Sequence, residues 1–142
     1  MKIDGTRNHD RATERVLLYY AAFNRGDWAA MLDCLTDDVV HDLNQGARET
    51  GREAFAAFLQ RMAASYREQL RDVVVMASPD GERAATEYVV HGEYIADDAG
   101  LPPARGQRYV LPGGAFFEIS DGQIVRVTNY YNLDGWLRQV RG

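Results

Sequence analysis

The period of the hydrophobic pattern changes once along this chain, and that change constrains the fold more than any other feature. In the N-terminal half, apolar side chains recur three and four positions apart, which is the spacing of amphipathic helices. The helical positions form three groups: Val16, Tyr19, Tyr20 and Phe23; Trp28, Met31, Leu32 and Leu35; and Phe55, Phe58, Leu59 and Met62. In the C-terminal half, apolar and polar residues mostly alternate, as in strands with one buried face. Helices followed by strands predict the α+β class, with three N-terminal helices packed on a strongly bent antiparallel sheet.

Local signals mark where the first two helices begin and end. Asn8 or Asp10 is suited to cap the first helix, which leaves residues 1–8 as a loose N-terminal segment. Gly26 is expected to end this helix, and Asp27 to cap the next one with its carboxylate. The second helix should therefore follow the first almost directly.

A capping box and two turn sequences organise the remainder of the chain. Thr50 and Glu53 have the capping-box spacing, so they are expected to begin the third helix. The sequence SPDG at residues 78–81 suits a type I turn, and DG at residues 121–122 is typical of a tight hairpin. Strands are expected at residues 38–43, 70–77, 82–95, 107–111, 115–120 and 123–131, with a loop at 96–106 and one or two helical turns at 133–140.

The composition says more about the possible binding partners and the cellular compartment of this protein than about its reaction. The chain has 142 residues, 46% apolar and 26% charged, which is ordinary for one globular domain over residues 1–142. The net charge of −5 and the scattered basic residues argue against nucleic acid as a partner. No apolar run suits a membrane helix or a signal peptide, and the one cysteine, Cys34, fits a buried thiol. A cytoplasmic protein that does not bind membranes is expected.

Sequence motifs for metals and cofactors are missing. The three histidines are far apart, and neither an HExxH motif nor a cysteine cluster is present, so no metal is expected. The sequence also lacks a phosphate loop, a dinucleotide-binding glycine motif and a GxSxG elbow. Any chemistry is therefore expected to come from ordinary side chains without a cofactor.

The segment HDLNQG, at residues 41–46, places an imidazole beside a carboxylate at the end of the first predicted strand. Because side chains alternate across a strand, His41 shares a face with Val39 and Leu43, while Asp42 lies on the other face. The His41 face is the more apolar one, so it is predicted to meet the helices. A histidine there can transfer protons near neutral pH, or it can be a structural histidine with a satisfied hydrogen bond. Asp42 is the alternative base if the strand register slips by one residue.

Other strand positions add candidates for the same pocket. Asn129 and Tyr131 share one face of the last predicted strand, where they could donate hydrogen bonds to a carbonyl or enolate oxygen. Tyr88 lies on the face of the long strand that is expected to line the pocket. Ordinary core packing is the alternative for each of them. The apolar pocket walls are expected to include Trp28, Phe55, Phe58, Met62 and Phe117.

Longer stretches of the sequence are similar to a known family. YYAAFNRGDWAAMLDCLTDDVVHD and DGQIVRVTNYYNLDGWLRQV resemble the SnoaL-like and ketosteroid-isomerase-like branch of the NTF2-like superfamily. HDLNQG, GLPPARGQRYVLPGGAFFE and TNYYNL are similar to ketosteroid-isomerase-related proteins. The resemblance covers residues 16–140 and implies a cone-shaped NTF2-like (cystatin-like) fold, usually dimeric. Members of the family include isomerases, polyketide cyclases, dehydratases and epoxide hydrolases, and others only bind ligands or proteins.

The resemblance also has consequences for single residues. Tyr19 matches a tyrosine that the steroid isomerases keep in their first helix. An ungapped match places Leu43 where their base, an aspartate, lies, with Asp42 one residue short of it. Their second aspartate, a protonated hydrogen-bond donor, falls at Ala115. Because two of the three groups are missing, the resemblance implies a reaction other than steroid isomerisation.

These observations predict a cofactor-independent isomerase, cyclase or dehydratase that acts on a small, largely apolar carbonyl compound. His41 would remove or relay a proton, with Tyr19, Asn129 or Tyr131 stabilising the oxygen. A non-catalytic ligand-binding protein, with a small apolar or aromatic ligand in the cone, and a dimeric interaction module with a filled core remain as alternatives. A homodimer through the outer face of the sheet is expected, because three helices can cover only one face of a broad sheet.

Overall fold

The computed structural model describes residues 5–142 and has the predicted α+β class. The helices are α1 (Gly5–Asn24), α2 (Trp28–Asp33), α3 (Arg52–Ser65) and α4 (Leu133–Arg141). The strands are β1 (Leu35–Asp42), β2 (Arg48–Thr50), β3 (Tyr66–Ala77), β4 (Arg83–Tyr94), β5 (Gln107–Ser120) and β6 (Gln123–Tyr131). No helix within residues 5–142 combines the length and the apolar character that crossing a membrane would require.

Six strands form one curled sheet in the order β2-β1-β6-β5-β4-β3. Four of the strand pairs are antiparallel as predicted, but β1 runs parallel to β6. Most of the chain lies between these two strands, which gives the connection length that a parallel pair requires. An irregularity between Arg71 and Val74, with Asp72 at φ 55°, interrupts the β3–β4 ladder and bends the sheet.

The helices lie against one face of this sheet, which we call the concave face, and the opposite side is the outer face. Tyr19 and Tyr20 of α1 pack edge-to-face on Phe117 of β5, with ring centroids 5.7 and 6.0 Å apart. All three residues are buried. Edge-to-face packing of this kind adds to the stabilisation that comes from burying large apolar surfaces.

The first helix begins earlier than predicted. It includes residues 5–8, so the expected loose segment is wrong there, and residues 1–4 lie outside the described part of the chain. A tertiary contact accounts for the difference: the Asn8 backbone lies so close to Gly81, in the β3–β4 turn, that a Cβ atom at Gly81 would overlap it. The predicted cap of α2 is confirmed, because the Asp27 carboxylate accepts a hydrogen bond from the Ala30 amide at 3.1 Å.

The capping box predicted for α3 is wrong. Gly51, at φ 105°, is the N-cap residue of α3, and no side chain caps the helix. Thr50 instead belongs to β2 and pairs with Val40 of β1, which holds its backbone in an extended conformation. The Gly51 amide donates to the Val39 carbonyl at 2.8 Å, so the start of α3 is attached directly to β1.

The fifth strand is continuous where the sequence predicted a break at residues 112–114. Pro112 pairs with Val89, and the two glycines that follow it stay in the ladder. A Cβ atom at Gly113 would lie 2.8 Å from the Tyr88 ring, and one at Gly114 would lie 2.7 Å from a backbone oxygen of β4. These glycines therefore permit close packing within the strand instead of ending it.

The predicted turns are confirmed, and the C-terminal helix is longer than expected. The Gly81 amide donates to the Ser78 carbonyl at 2.9 Å, and residues 121–122 both have positive φ, as a tight hairpin requires. Helix α4 has nine residues. The Gln139 side chain bonds both the amide and the carbonyl of Val110 at 2.9 Å, which satisfies backbone groups of β5.

Candidate active site

His41 points to the concave face and Asp42 points to the outer face, as strand alternation predicted. Only 2% of His41 is exposed. The Phe55 ring stacks on the imidazole with centroids 4.3 Å apart and planes at 25°, and the Phe58 ring lies nearly perpendicular to it with centroids 4.7 Å apart. Two predicted pocket-wall residues of α3 therefore enclose the histidine.

Asn129 completes the polar part of this site. Its Nδ2 lies 3.0 Å from Nε2 of His41. An amide nitrogen can only donate, so with this amide orientation Nε2 accepts and the imidazole proton lies on Nδ1. Nδ1 is buried and has no hydrogen-bond partner in the protein. Because buried polar atoms are nearly always paired, this atom is available to a ligand group or a bound water.

The environment of His41 keeps its imidazole neutral. Burial lowers its pKa to about 4, and the negative charge of Asp42 opposes this change only in part. At neutral pH the ring is therefore uncharged and is a weak base. A neutral imidazole in an apolar site can still donate a hydrogen bond through Nδ1.

Asp42, the alternative base, does not reach the concave face. Its carboxylate accepts hydrogen bonds from the Arg48 guanidinium at 2.7 Å and from the Thr128 hydroxyl at 2.7 Å. These bonds, that from Arg48 first, lower the pKa of Asp42 to about 2. Asp42 is therefore an ionised, paired group on the outer face of the sheet.

Tyr19 lies beside this site but inside the core. Phe55 lies between Tyr19 and His41 and contacts both, with the Tyr19 ring at 6.4 Å. Burial raises the Tyr19 pKa well above its usual value, and the nearby Tyr20 adds to the effect. The Tyr19 hydroxyl therefore stays protonated and can act only as a neutral hydrogen-bonding group.

The other predicted pocket residues fall into separate places. Tyr88 is half-buried on the concave face and contacts Tyr20 at 5.6 Å, while Phe117 belongs to the aromatic core. Met62 is half-buried near the end of α3. Trp28 packs on Phe23 at 5.8 Å, and Tyr131, 43% exposed, lies at the end of β6. The structure thus places Phe55, Phe58 and Asn129 around His41, whereas the other five lie elsewhere in the protein.

Sequence reasoning missed two polar residues of the concave face, Glu68 and Tyr109. Glu68 lies in β3, which begins four residues earlier than predicted, and the Tyr109 hydroxyl donates a hydrogen bond to its carboxylate. Period-two alternation extended backwards from Leu70 would have placed Glu68 on the inner face.

The outer face carries a surface groove with a volume of about 340 Å³. It is lined by Arg83, Ala84, Phe116, Phe117, Arg126, Thr128 and Tyr130.

Among the described residues, no group of three or more histidine, cysteine, aspartate or glutamate side chains is placed to hold a metal ion. Cys34 is buried, and burial raises the pKa of its thiol.

Sequence comparison identifies the class to which this fold and site belong. The sequence model of the SnoaL-like domain matches residues 16–127, so the chain belongs to the SnoaL-like family of the NTF2-like superfamily. A comparison with curated protein sequences finds no match.

Several solved structures are similar over almost the whole chain. One, from Xanthomonas campestris pv. campestris, has a name that proposes a polyketide cyclase; it is 67% identical over 94% of this chain and 98% of its own, with a TM-score of 0.91. A second, from Pseudomonas putida, has a name of the same kind. It is 60% identical over 91% of this chain and 97% of its own, with a TM-score of 0.90. An epoxide hydrolase from M. tuberculosis shares the fold, with a TM-score of 0.75. It is 19% identical over 94% of this chain and 91% of its own.

Proposed function

We propose that this protein is a cofactor-independent enzyme that transfers a proton on a small, largely apolar carbonyl compound. The observation that carries the proposal is the buried, unpaired Nδ1 of His41, next to a hydrogen bond that fixes the other ring nitrogen. Isomerisation, aldol cyclisation and dehydration all pass through an enolate or enol, and all need a donor at the carbonyl oxygen.

The low pKa of His41 changes the role that the sequence suggested for it. An imidazole whose conjugate acid has a pKa of about 4 is a poor base at neutral pH. Its Nδ1–H group is instead suited to donate to the substrate oxygen, and this bond strengthens as negative charge develops there. A solvent water or hydroxide takes the proton from the α-carbon, and the electron pair of that C–H bond moves towards the oxygen that Nδ1–H stabilises. Asn129 holds the ring in the tautomer that this role requires. Because Nδ1 is buried and Phe58 contacts the imidazole, a ligand that reaches Nδ1 requires movement of the side chains around it.

Two features favour a reaction other than steroid isomerisation. Ala115 is buried on the concave face at the position expected for the second aspartate of the steroid isomerases. Asp42 is paired on the outer face, so neither carboxylate of that machinery is present in the cone. The names of the two most similar structures cited above propose polyketide cyclases, so among the three reactions we favour aldol cyclisation.

Hydrogen–deuterium exchange in a probe ketone tests this proposal without knowledge of the natural substrate. The α-protons of 2-tetralone in D₂O are followed by NMR with wild-type protein, with His41→Ala and with His91→Ala, whose parent histidine is exposed on the outer face. We expect exchange catalysed by wild type and by His91→Ala, and a rate about 10²-fold lower with His41→Ala. Equal rates for the folded His41→Ala variant and wild type would show that the proposal is wrong. Binding of the ketone without exchange would favour the ligand-binding alternative.

We also propose that the outer face binds a second copy of this chain. Five large apolar side chains on this face are 47–55% exposed: Val74, Met76, Val110, Phe116 and Tyr130. Beside them lie Arg83, Glu118 and Arg126, which carry both signs of charge and are linked by ion pairs. In a two-fold dimer the same patch meets itself, so mixed charges around an apolar centre are self-complementary.

The oligomeric state tests this second proposal. We expect light scattering at micromolar concentration to give twice the mass of one chain, and Phe116→Glu to give the single-chain mass because a charge would be buried in the interface. Leu18→Glu, on an exposed position of α1, is the matched control and should remain dimeric. A monomeric wild type, or a dimeric Phe116→Glu variant, would contradict this interface.

A further inference from the structure

A second polar group lies on the concave face, away from His41. Glu68 of β3, Gly92 of β4 and Tyr109 of β5 are direct neighbours across three strands. The Tyr109 hydroxyl donates a hydrogen bond to Oε2 of Glu68. Gly92 makes this contact possible, because a Cβ atom there would overlap the Tyr109 ring. Because Gly92 has no side chain, the Tyr109 ring can lie against it and reach the Glu68 carboxylate.

The negative charge of Glu68 also acts on two further tyrosines, Tyr88 and Tyr131. Burial raises the pKa of Tyr88 to about 12, and the charge of Glu68 is the next largest cause. Burial also raises the pKa of Tyr131, with smaller contributions from Asn44, which lowers it, and from Glu68 and Asp98, which raise it. Glu68 and Tyr88 are half-buried and Tyr131 is exposed, so these three side chains are partly accessible to solvent.

The carboxylate lacks a cation among the groups that contact it. None of the ion pairs formed by residues 5–142 includes Glu68. Burial raises its pKa, and the hydrogen bond from Tyr109 opposes this to a smaller extent. An ionised carboxylate in such surroundings is stabilised by any cation that a ligand brings, and tyrosine faces attract the same cation.

We propose that Glu68, Tyr88, Tyr109 and Tyr131 form a subsite for a protonated amine on a ligand bound in the cone. Tyr109 lies six residues from Ala115, which pairs with Asn129 of the His41 site. Six residues span roughly 20 Å along a strand at about 3.3 Å per residue, and the bend of the sheet shortens this distance. A ligand that reaches both places is therefore elongated, with its nitrogen far from the reacting oxygen. The subsite needs no chemistry at His41, so its test is independent of the proposed activity.

A pair of isosteric probes tests the charge preference. Calorimetric or NMR titrations at pH 7 compare 2-phenylethylammonium with neutral 2-phenylethanol. We expect the ammonium ion to bind at least about tenfold more tightly, and Glu68→Gln to remove this difference, because a charged hydrogen-bond partner is lost. Glu93→Gln is the matched control, since Glu93 lies on the outer face of β4 and pairs with Arg67. Equal affinity of the two probes for wild type, or an unchanged preference in Glu68→Gln, would overturn the proposal.

A second measurement on the wild-type protein covers the case in which Glu68→Gln does not fold. Nuclear Overhauser effects between the methylene protons of the bound ammonium probe and the rings of Tyr88 and Tyr109 report directly on its position. We expect such effects to both rings. Effects only to other residues would place the cation elsewhere and would overturn the subsite.

Discussion

Asn129 and His41 contact each other through Nδ2 and Nε2 at 3.0 Å, although 88 positions separate them in the sequence. The parallel pairing of β1 and β6 brings them together, with His41 opposite Val127, two residues before Asn129. One side-chain contact thus fixes the tautomer of a buried histidine and leaves its second nitrogen free for a ligand.

The first prediction concerns the charge state of His41. Asn129→Asp places a carboxylate next to Nε2, where it favours the charged imidazolium. We expect the pKa of His41 to rise from about 4 by at least about one unit, as measured by NMR titration of the imidazole. Asn129→Ala, the control, retains the burial and should leave the pKa low. An Asn129→Asp variant with the wild-type pKa would mean that these side chains do not interact in solution.

The second prediction concerns stability and pH. The pKa of His41 is about 4 in the folded protein against an ordinary value of 6.5, so between these values the unfolded chain binds the extra proton. The contribution of His41 to the free energy of unfolding is therefore fully present above pH 6.5 and falls by about 3 kcal/mol as the pH drops to 4. Urea unfolding of wild type and His41→Gln across this range should show the difference. Parallel pH dependences of the two proteins would contradict the low pKa.

Part of this site was predictable from the sequence because it depends on local alternation. Period two was sufficient to place His41 inward and Asp42 outward, and helical spacing placed Phe55 and Phe58 on a single face of α3. The contact between His41 and Asn129 was not predictable, because it depends on a parallel pairing of distant strands. No local pattern indicates which strands become neighbours.

The fold shows the same division between local and non-local causes. The cap at Asp27 follows from one side chain and the nearest amides, and it was predicted. The capping box at Thr50 failed because β2 pairs with β1 and takes that residue into a strand. The Glu68–Tyr109 contact depends on Gly92 in the strand between them, which only the completed sheet reveals.

The third prediction separates Asp42 from the chemistry. Asp42→Asn weakens its bonds to Arg48 and Thr128 on the outer face, so we expect the free energy of unfolding to fall by about 1 kcal/mol. Exchange of the probe ketone should change less than about threefold, against about 10²-fold for His41→Ala. Chemical denaturation and the exchange assay on the same preparations give both numbers. If a stably folded Asp42→Asn variant lost the exchange activity, Asp42 would belong to the active site after all.

The fourth prediction contrasts two glycines. A Cβ atom at Gly114 would lie 2.7 Å from the Thr86 carbonyl oxygen, so Gly114→Ala should destabilise the protein by about 1–3 kcal/mol. Gly135 lies in α4 with its nearest contact at 3.5 Å, so Gly135→Ala should stabilise the protein by about 0.5–1 kcal/mol. Thermal denaturation of both variants shows whether each substitution lowers or raises the stability of the protein. Equal shifts in the same direction would mean that β4 and β5 are not packed as closely as described.

The most direct test of the central claim, that Nδ1–H of His41 contacts the ligand oxygen, is NMR of the ¹⁵N-labelled imidazole with and without 2-naphthol. This phenol has the shape of the enol of 2-tetralone and carries its oxygen at the same position. We expect the free protein to show a neutral ring with the proton on Nδ1, and 2-naphthol to shift the Nδ1 resonance while Nε2 stays bonded to Asn129. Saturation of the protein with 2-naphthol without any change at Nδ1 would contradict the claim.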